Sequence, residues 1–366
     1  GRIEARWWNQ VTAGASVQYD DVFDTTVFGY VSILFGGPNR GNPCGCPTVA
    51  DRLGDPLHKN MHVVINRRSV ADTVVLNPVD NQPLQFLHVD SNAPAAGANG
   101  TFENPYNNLT DVNANNNANV DVVLAHAGSQ FTDETINLPF ADQRLLGDSD
   151  VVTHTTASQF GTLTLPRANA LAAKPILEGE LVAATGPSVN VTASNVEVSG
   201  LRIQDPDGDG ILVTGNGLTG FDINRNMISG ADFNNGGVGE GIFLDGNATG
   251  SVTDNTIFGG NQDGLRVDGN FNGTIAGNMV NGNAGIGFNI EGEFQSGTMS
   301  GNSAIGNGGD GYFFNSIAGG LIDSNFAGNN GDDGFDLNNM FNGGVFSNNV
   351  SRRSRSSPHK NLTSLF

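Results

Sequence analysis

Short apolar segments with a period of two recur along the last two fifths of the chain. Each follows an acidic residue or an alanine and then a glycine, as in Asp263-Gly-Leu-Arg-Val. The units start at Asp209, Glu240, Asp263, Ala284, Asp310 and Asp333. Apolar residues at alternate positions predict short β-strands with one buried face.

An asparagine follows each of these units at a nearly constant interval. The asparagines are Asn226, Asn255, Asn278, Asn302, Asn325 and Asn348, separated by 29, 23, 24, 23 and 23 residues. The residues three before and two after each asparagine are apolar. A unit of this length cannot bury its own apolar face, so neighbouring units must stack. Stacking at ~4.8 Å per coil places the asparagines over one another. The pattern therefore predicts an all-β parallel solenoid, a β-helix with an asparagine ladder.

The composition agrees with this fold, and the net charge restricts the classes of ligand that the protein can bind. Among 366 residues there are 51 glycines and 47 asparagines, residue types that disfavour helices. The net charge is −20. Binding to nucleic acid requires a basic face, so nucleic acid is excluded as a partner. An acidic surface instead suits divalent cations or neutral sugars.

Upstream of the repeats, three segments resemble the opening of a known fold. They are Phe86-Leu-His-Val-Asp-Ser-Asn, Gly100-Thr-Phe-Glu-Asn-Pro-Tyr and Val120-Asp-Val-Val-Leu-Ala-His-Ala-Gly. This order resembles the first strand, turn and first coil of right-handed parallel β-helix proteins of the pectate-lyase-like superfamily. The resemblance implies a right-handed β-helix over about residues 84–350. That fold carries lyases, hydrolases, epimerases, tailspikes and adhesins, so it leaves the function open.

Residues 1–68 show a different pattern, with strands of about ten alternating residues that suit an outer-membrane barrel. Pro56, Lys59, Asn60, Val63 and Val64 resemble the closing segment of the inverse autotransporter (intimin/invasin-like) β-domain, with lysine in place of the usual arginine. The resemblance implies that the last strands of an outer-membrane β-barrel precede the β-helix. The alternative is a small soluble β-sheet that caps the helix.

We therefore expect four segments. They are the incomplete end of an antiparallel outer-membrane β-barrel (1–68), a linker through or beside the barrel (69–86), the right-handed parallel β-helix (87–350) and an irregular basic tail (351–366). About four strands cannot close a barrel in lipid, because open edges leave backbone groups unpaired, so further strands are expected upstream. The implied location is the outer membrane, with the β-helix exposed at the cell surface.

Two groups of aspartates are candidate calcium ligands. Asp205, Asp207 and Asp209 match the first half of an Asp-x-Asp-x-Asp-Gly calcium loop, but no glutamate occupies its twelfth position. A solvated acidic turn is the alternative. Asp245 and Asp268 take the same outward position in adjacent coils, ~4.8 Å apart. Two such carboxylates repel unless they share a proton or bind a cation.

Arg266 lies two residues before Asp268 on the same face. Calcium on the carboxylates and an arginine base is the arrangement that a pectate-lyase-like β-elimination needs, so Arg266 is the candidate catalytic residue. A simple salt bridge to Asp245 or Asp268 is the alternative. Phe243 and Phe313 are predicted to face outward as well, where their rings could stack on sugars.

The preferred hypothesis is a cell-surface β-helix that acts as an adhesin or binding module for a polysaccharide or a ligand on a host or neighbouring cell. The sequence establishes no cofactor with certainty, and Ca²⁺ is the candidate. The alternative is a polysaccharide lyase or another carbohydrate-active enzyme on the same fold. A third hypothesis is a secreted, soluble structural protein.

Overall fold

The chain divides into two compact units, Gly1–Ser69 and Val70–Phe366. A computed structural model describes residues 2–7, 11–20, 24–33, 74–167, 173–179, 186–231, 239–339 and 341–352. In the described part of the first unit, three strands pair antiparallel in chain order: β1 (Arg2–Trp7), β2 (Val11–Asp20) and β3 (Asp24–Ile33). The segment that resembles the inverse autotransporter domain lies outside the described residues.

The second unit contains three parallel sheets, to which each regular coil contributes one strand. Sheet A consists of β7 (Ile136–Leu138), β12 (Val189–Val191), β15 (Ile211–Thr214), β18 (Ile242–Asp245), β21 (Leu265–Val267), β24 (Phe288–Phe294), β27 (Tyr312–Ile317) and β30 (Phe335–Leu337). Sheet B consists of β4 (Phe86–Val89), β5 (Val122–Ala125), β8 (Arg144–Gly147), β13 (Glu197–Ser199), β16 (Leu218–Asn224), β19 (Ala248–Thr253), β22 (Thr274–Ala276), β25 (Thr298–Ser300), β28 (Leu321–Asp323) and β31 (Val345–Ser347). Sheet C consists of β6 (Gln130–Thr132), β11 (Ile176–Glu178), β14 (Arg202–Gln204), β17 (Met227–Ser229), β20 (Thr256–Phe258), β23 (Met279–Asn281), β26 (Ser303–Ile305), β29 (Phe326–Gly328) and β32 (Val350–Arg352). The predicted all-β parallel solenoid is confirmed.

The core is a continuous stack of apolar side chains inside the coils. On sheet A the first inward position is occupied in successive coils by Ile136, Val189, Ile211, Ile242, Leu265, Phe288, Tyr312 and Phe335, each at most 7% exposed. Toward the C-terminal coils the aliphatic residues give way to aromatic ones. The rings of Phe288 and Tyr312 stack at 4.8 Å and those of Tyr312 and Phe335 at 4.6 Å.

An asparagine ladder runs along the turn between sheets B and C. From Asn255 onward, each ladder asparagine accepts hydrogen bonds at Oδ1 from the backbone N–H and the Nδ2 of the asparagine in the preceding coil. These bonds connect Asn226, Asn255, Asn278, Asn302, Asn325 and Asn349. Each Nδ2 also donates to a backbone carbonyl, so the buried amides are saturated, as burial of polar groups demands.

The prediction of Asn348 as the last ladder residue is wrong by one position. Asn349 accepts from Asn325, and Asn348 stands before it with a positive φ of 53°. The residue before each ladder asparagine has a left-handed backbone, and asparagine tolerates this conformation. Phe346, and not Val345, pairs with Ile322 of the preceding coil. The segment Val345-Phe346-Ser347-Asn348-Asn349 contains two adjacent apolar residues and two adjacent asparagines. The sequence was therefore equally compatible with Asn348 and with Asn349 as the ladder residue.

Additional elements cover the N-terminal coils. These are helix α1 (Leu109–Asn115) and a hairpin of β9 (Thr155–Ser158) and β10 (Gly161–Thr164). Residues 74–86, assigned to a linker from the sequence, also bond to the coils: Asn77 donates Nδ2 to Asp121, and the Gln85 N–H donates to the same carboxylate. In the described part of the chain, no helix is long and apolar enough to cross a membrane. Of the predicted tail, residues 351–352 belong to β32 and residues 353–366 lie outside the described residues.

Candidate functional site

The outward face of sheet A carries one side chain per coil in strict register. The residues of this row, which we call the sheet A row, are Asn137, Asn190, Leu212, Phe243, Arg266, Asn289, Phe313 and Asp336. They alternate with the inward residues of the same strands, which is why they face away from the core. At ~4.8 Å per coil, the four positions from Phe243 to Phe313 span roughly 14 Å.

Arg266 is held by three neighbours on this face. Its Nε donates to Asp268 Oδ1 at 2.6 Å, and its Nη1 lies 3.4 Å from Glu240 Oε1. Its guanidinium carbon lies 5.6 Å from the centroid of the Phe243 ring, within range of a cation–π interaction. The hydrogen bond to Asp268 is the main cause that raises the pKa of Arg266 above its ordinary value. Arg266 is therefore a fixed positive charge above Phe243, which is unfavourable for the predicted role as a base.

The predicted calcium pair has protein partners. Asp245 accepts a hydrogen bond from Thr214 Oγ1 at 3.2 Å, and Asp268 is paired with Arg266. The Asp268 N–H donates to Leu244 O, so the two carboxylates belong to adjacent coils as expected. The positive charge of Arg266 compensates Asp268 without a metal ion.

The second predicted calcium group is spread along a turn. Asp205, at its start, has a left-handed backbone with φ of 46°, and its N–H donates to Ser229 O. Asp209 accepts at Oδ1 from the Glu240 N–H of the next coil. Asp205, Asp207 and Asp209 do not bring one carboxylate oxygen each to within 4.8 Å of one another.

Among the described residues, one cluster of three carboxylates is present, and it lies in the C-terminal coils of the solenoid. One oxygen each of Asp310, Asp332 and Asp333 lie within 4.8 Å of one another. Asp310 and Asp333 are first residues of the repeat unit, and the Asp333 N–H donates to Asp310 Oδ1 at 2.7 Å. Burial is the main cause that raises the pKa of Asp310 to about 7, and the neighbouring carboxylates add to this effect.

Glu240 was not among the predicted site residues. Its side chain is 4% exposed, and it lies between Asp209, Asp263 and Arg266. Burial, followed by a hydrogen bond with the Asp209 carboxyl group, raises the pKa of Glu240 to about 8. Glu240 therefore keeps a proton at neutral pH. The sequence did indicate that Glu240 occupies the acidic first position of a repeat unit, and this could have marked it as a candidate.

Asn289 was also missed, and it fills the position between Arg266 and Phe313. It is 3% exposed and donates Nδ2 to Asp263 Oδ2 at 2.7 Å and to Glu291 Oε1 at 3.2 Å. Its Oδ1 makes no hydrogen bond with the described residues. This buried acceptor has no donor among them, but it is also inaccessible, so an external ligand cannot reach it in this conformation.

A groove of about 370 Å³ lies on a different face, outside sheet B. It is lined by the segment at residues 77–84, the hairpin strand β9 and the outward residues of sheet B, including Arg144 and Glu197. Arg144 Nε donates to Glu197 Oε2 at 2.6 Å, so these two charges compensate each other.

Comparison with known proteins agrees with the architecture. The family model described as right-handed β-helix region matches residues 185–316 and 240–357. Together with the parallel sheets, this match shows that the solenoid is a right-handed parallel β-helix. The search of curated proteins found no significant match.

Three solved structures are similar at low identity. Pectate lyase Pel9A is 15% identical, with 75% of this chain and 77% of that chain covered and a TM-score of 0.46. The periplasmic alginate epimerase AlgG is 10% identical, with coverages of 68% and 83% and a TM-score of 0.28. The native GH136 lacto-N-biosidase from Eubacterium ramulus is 12% identical, with coverages of 73% and 68% and a TM-score of 0.29. We draw no conclusion about the function from these similarities.

Proposed function

We propose that this protein is a carbohydrate-binding β-helix whose sheet A row receives a polysaccharide chain. The observation that carries the proposal is the alignment of the Phe243 ring, the Arg266 guanidinium and the Phe313 ring on one face, with the buried Asn289 between Arg266 and Phe313. Aromatic faces offer apolar contact to the C–H faces of sugar rings, and a few fixed polar groups orient the hydroxyls.

The charge of the face favours a neutral polysaccharide. Asp245 and Asp268 lie beside the row, Asp336 is its last member, and Asp268 compensates the charge of Arg266. A polyanion would be repelled by this acidic surface. Neutral sugars instead present hydroxyl donors, for which the carboxylates of this face are acceptors. An acidic polysaccharide would need Ca²⁺ on Asp245 and Asp268 to bridge the charges.

Binding is tested by affinity electrophoresis of the full chain in gels that contain neutral or acidic polysaccharides, with and without Ca²⁺. The matched variants are Phe243→Ala and Phe313→Ala, with Met279→Ala as the control, since Met279 is 47% exposed on sheet C. We expect retardation by a neutral polysaccharide that both phenylalanine variants reduce at least tenfold and the control leaves unchanged. Equal retardation of all variants, or no retardation by any polysaccharide, contradicts the proposal.

The cell surface is the proposed location, with residues 1–68 as part of an outer-membrane anchor. The alternating sequence of these residues supports this, as does the antiparallel pairing of β1, β2 and β3. The test is expression of the full-length gene followed by protease treatment of intact cells. Digestion of the β-helix supports surface display, whereas complete protection excludes it.

Glycoside hydrolysis is a second candidate function, favoured by one observation. Burial raises the pKa of Glu240 to about 8, which makes it a candidate acid, and Asp209 and Asp263 lie near it. Glycoside hydrolysis uses two carboxyl groups at least about 5 Å apart, so Asp263, and not the hydrogen-bonded Asp209, is the candidate partner. Release of reducing ends from neutral polysaccharides, lost in Glu240→Gln but retained in Met279→Ala, would establish it. Binding without any release by the wild type leaves the protein as a binding module only.

A further inference from the structure

Two histidines meet at the N-terminal coils, away from the sheet A row. His88 lies on β4, and His126 directly follows β5, its neighbour in sheet B. The Nδ1 of His88 and the Nε2 of His126 are 3.0 Å apart. The two rings are nearly perpendicular, with an interplanar angle of 81° and a centroid distance of 5.2 Å. A ring nitrogen from each histidine therefore faces the other.

Asp90 fixes the orientation of His126 from the opposite side. Asp90 Oδ2 lies 3.6 Å from His126 Nδ1, and Asp90 Oδ1 accepts a hydrogen bond from Ser129 Oγ at 3.1 Å. A carboxylate near Nδ1 favours the tautomer that carries its proton there and leaves the Nε2 lone pair directed at His88. The same carboxylate–histidine arrangement orients histidine ligands around metal ions in proteins.

The surroundings keep both imidazoles available as ligands. His126 is 5% exposed, and the rings of Phe86 and Phe102 lie 5.8 and 5.5 Å from His88. The negative charges of Glu103 and Asp90 act on His88 and His126, respectively. The pair therefore lies in a locally negative field, which favours a cation.

We propose that His88 Nδ1 and His126 Nε2 bind one divalent transition-metal cation, with Zn²⁺ as the reference ion. In tetrahedral zinc, two nitrogens at ~2.0–2.1 Å from the metal lie roughly 3.3 Å apart. The two nitrogens, 3.0 Å apart, are within hydrogen-bond distance of each other, and the metal would replace this hydrogen bond, with the rings rotated so that both lone pairs converge on the ion. Water or an external ligand completes the coordination. Imidazole nitrogens do not suit Ca²⁺ or Mg²⁺, so these ions are not expected here.

The test is equilibrium dialysis of the full chain against ZnCl₂, compared with His88→Gln, His126→Gln, Asp90→Asn and the control His154→Gln. His154 is a suitable control because its Nε2 is bonded to Gly147 O at 2.9 Å, away from the pair. We expect His88→Gln and His126→Gln each to bind one equivalent of zinc less than the wild type and His154→Gln. Asp90→Asn should keep this equivalent with an affinity tenfold or more weaker.

The absorption spectrum with Co²⁺ distinguishes metal binding by the two histidines from a merely structural role of these residues. With Co²⁺ in place of Zn²⁺, the wild type should show the visible absorption of a tetrahedral cobalt site, and His88→Gln should lack it. Because His88 lies on the first strand of sheet B, His88→Gln keeps the test valid even where His126→Gln fails to fold. Equal zinc stoichiometry in the wild type and a folded His88→Gln variant, including no binding by either, overturns the proposal.

Discussion

The Oδ1 atom of Asn278 accepts two hydrogen bonds from Asn255, one from its backbone N–H and one from its Nδ2, each at 3.0 Å. Both asparagines are 1% exposed. Asn278 in turn donates to Asn302 in the same way and to Val252 O at 2.7 Å. Each ladder amide thus joins three successive coils and saturates backbone groups that no strand can reach.

Asn278→Ala removes the acceptor of two buried donors of Asn255 and takes from Asn302 Oδ1 one of its two donors, the Asn278 Nδ2. Since each buried unsatisfied polar group costs about 1–3 kcal/mol, we expect the free energy of unfolding to fall by about 3 kcal/mol or more. Urea denaturation monitored by circular dichroism measures this change. Asn216→Ala, in an exposed turn, should change it by about 0.5 kcal/mol at most. Comparable losses in both variants would show that the ladder is not the cause.

The register at the last described coil gives a second comparison. Asn349→Ala should destabilise the C-terminal coil, because Asn349 Oδ1 accepts two bonds from Asn325. Asn348→Gly should be neutral or stabilising, since glycine adopts the positive φ of this position without strain. Hydrogen exchange of the amides in β28 and β29 measures the local effect. Faster exchange in Asn348→Gly than in Asn349→Ala would indicate that Asn348, and not Asn349, is the ladder residue.

The aromatic stack inside sheet A is expected to matter far more for stability than the aromatic row outside it. Phe288 is fully buried and stacked on Tyr312, so Phe288→Ala should lower the free energy of unfolding by about 3–5 kcal/mol. Phe243→Ala loses an outer contact with Arg266, worth about 1 kcal/mol. Thermal denaturation of both variants distinguishes them. Equal destabilisation would mean that Phe243 belongs to the core.

Asp310 gives a pH dependence with a defined sign. Because its pKa is about 7 in the folded chain and 3.8 as a free carboxyl group, the folded state holds a proton that the unfolded state releases. This contribution to stability is lost as pH rises from about 4 to 7. Asp310→Asn keeps the acceptor for the Asp333 N–H and cannot ionise. The melting temperature of the variant relative to the wild type should therefore rise between pH 5 and pH 8. A constant difference over this range contradicts the assignment.

Most of the solenoid could be predicted from the sequence because its determinants are local and periodic. The apolar alternation that buries Ile242 and Leu265 and the spacing of the ladder asparagines each repeat within one coil. The site was harder to predict because its contacts join different coils. Glu240 and Asn289 acquire their properties from Asp209 and Asp263 in preceding coils, across distances that periodicity alone does not fix. Asp268 and Arg266, two residues apart, could be paired from the sequence.

Binding of a polysaccharide along the sheet A row is the central claim, and the crystal structure of the chain with a neutral oligosaccharide that retards it tests this claim most directly. We predict density for sugar rings over Phe243 and Phe313. Density in the groove outside sheet B, beside Arg144 and Glu197, with the sheet A row empty, would contradict the claim.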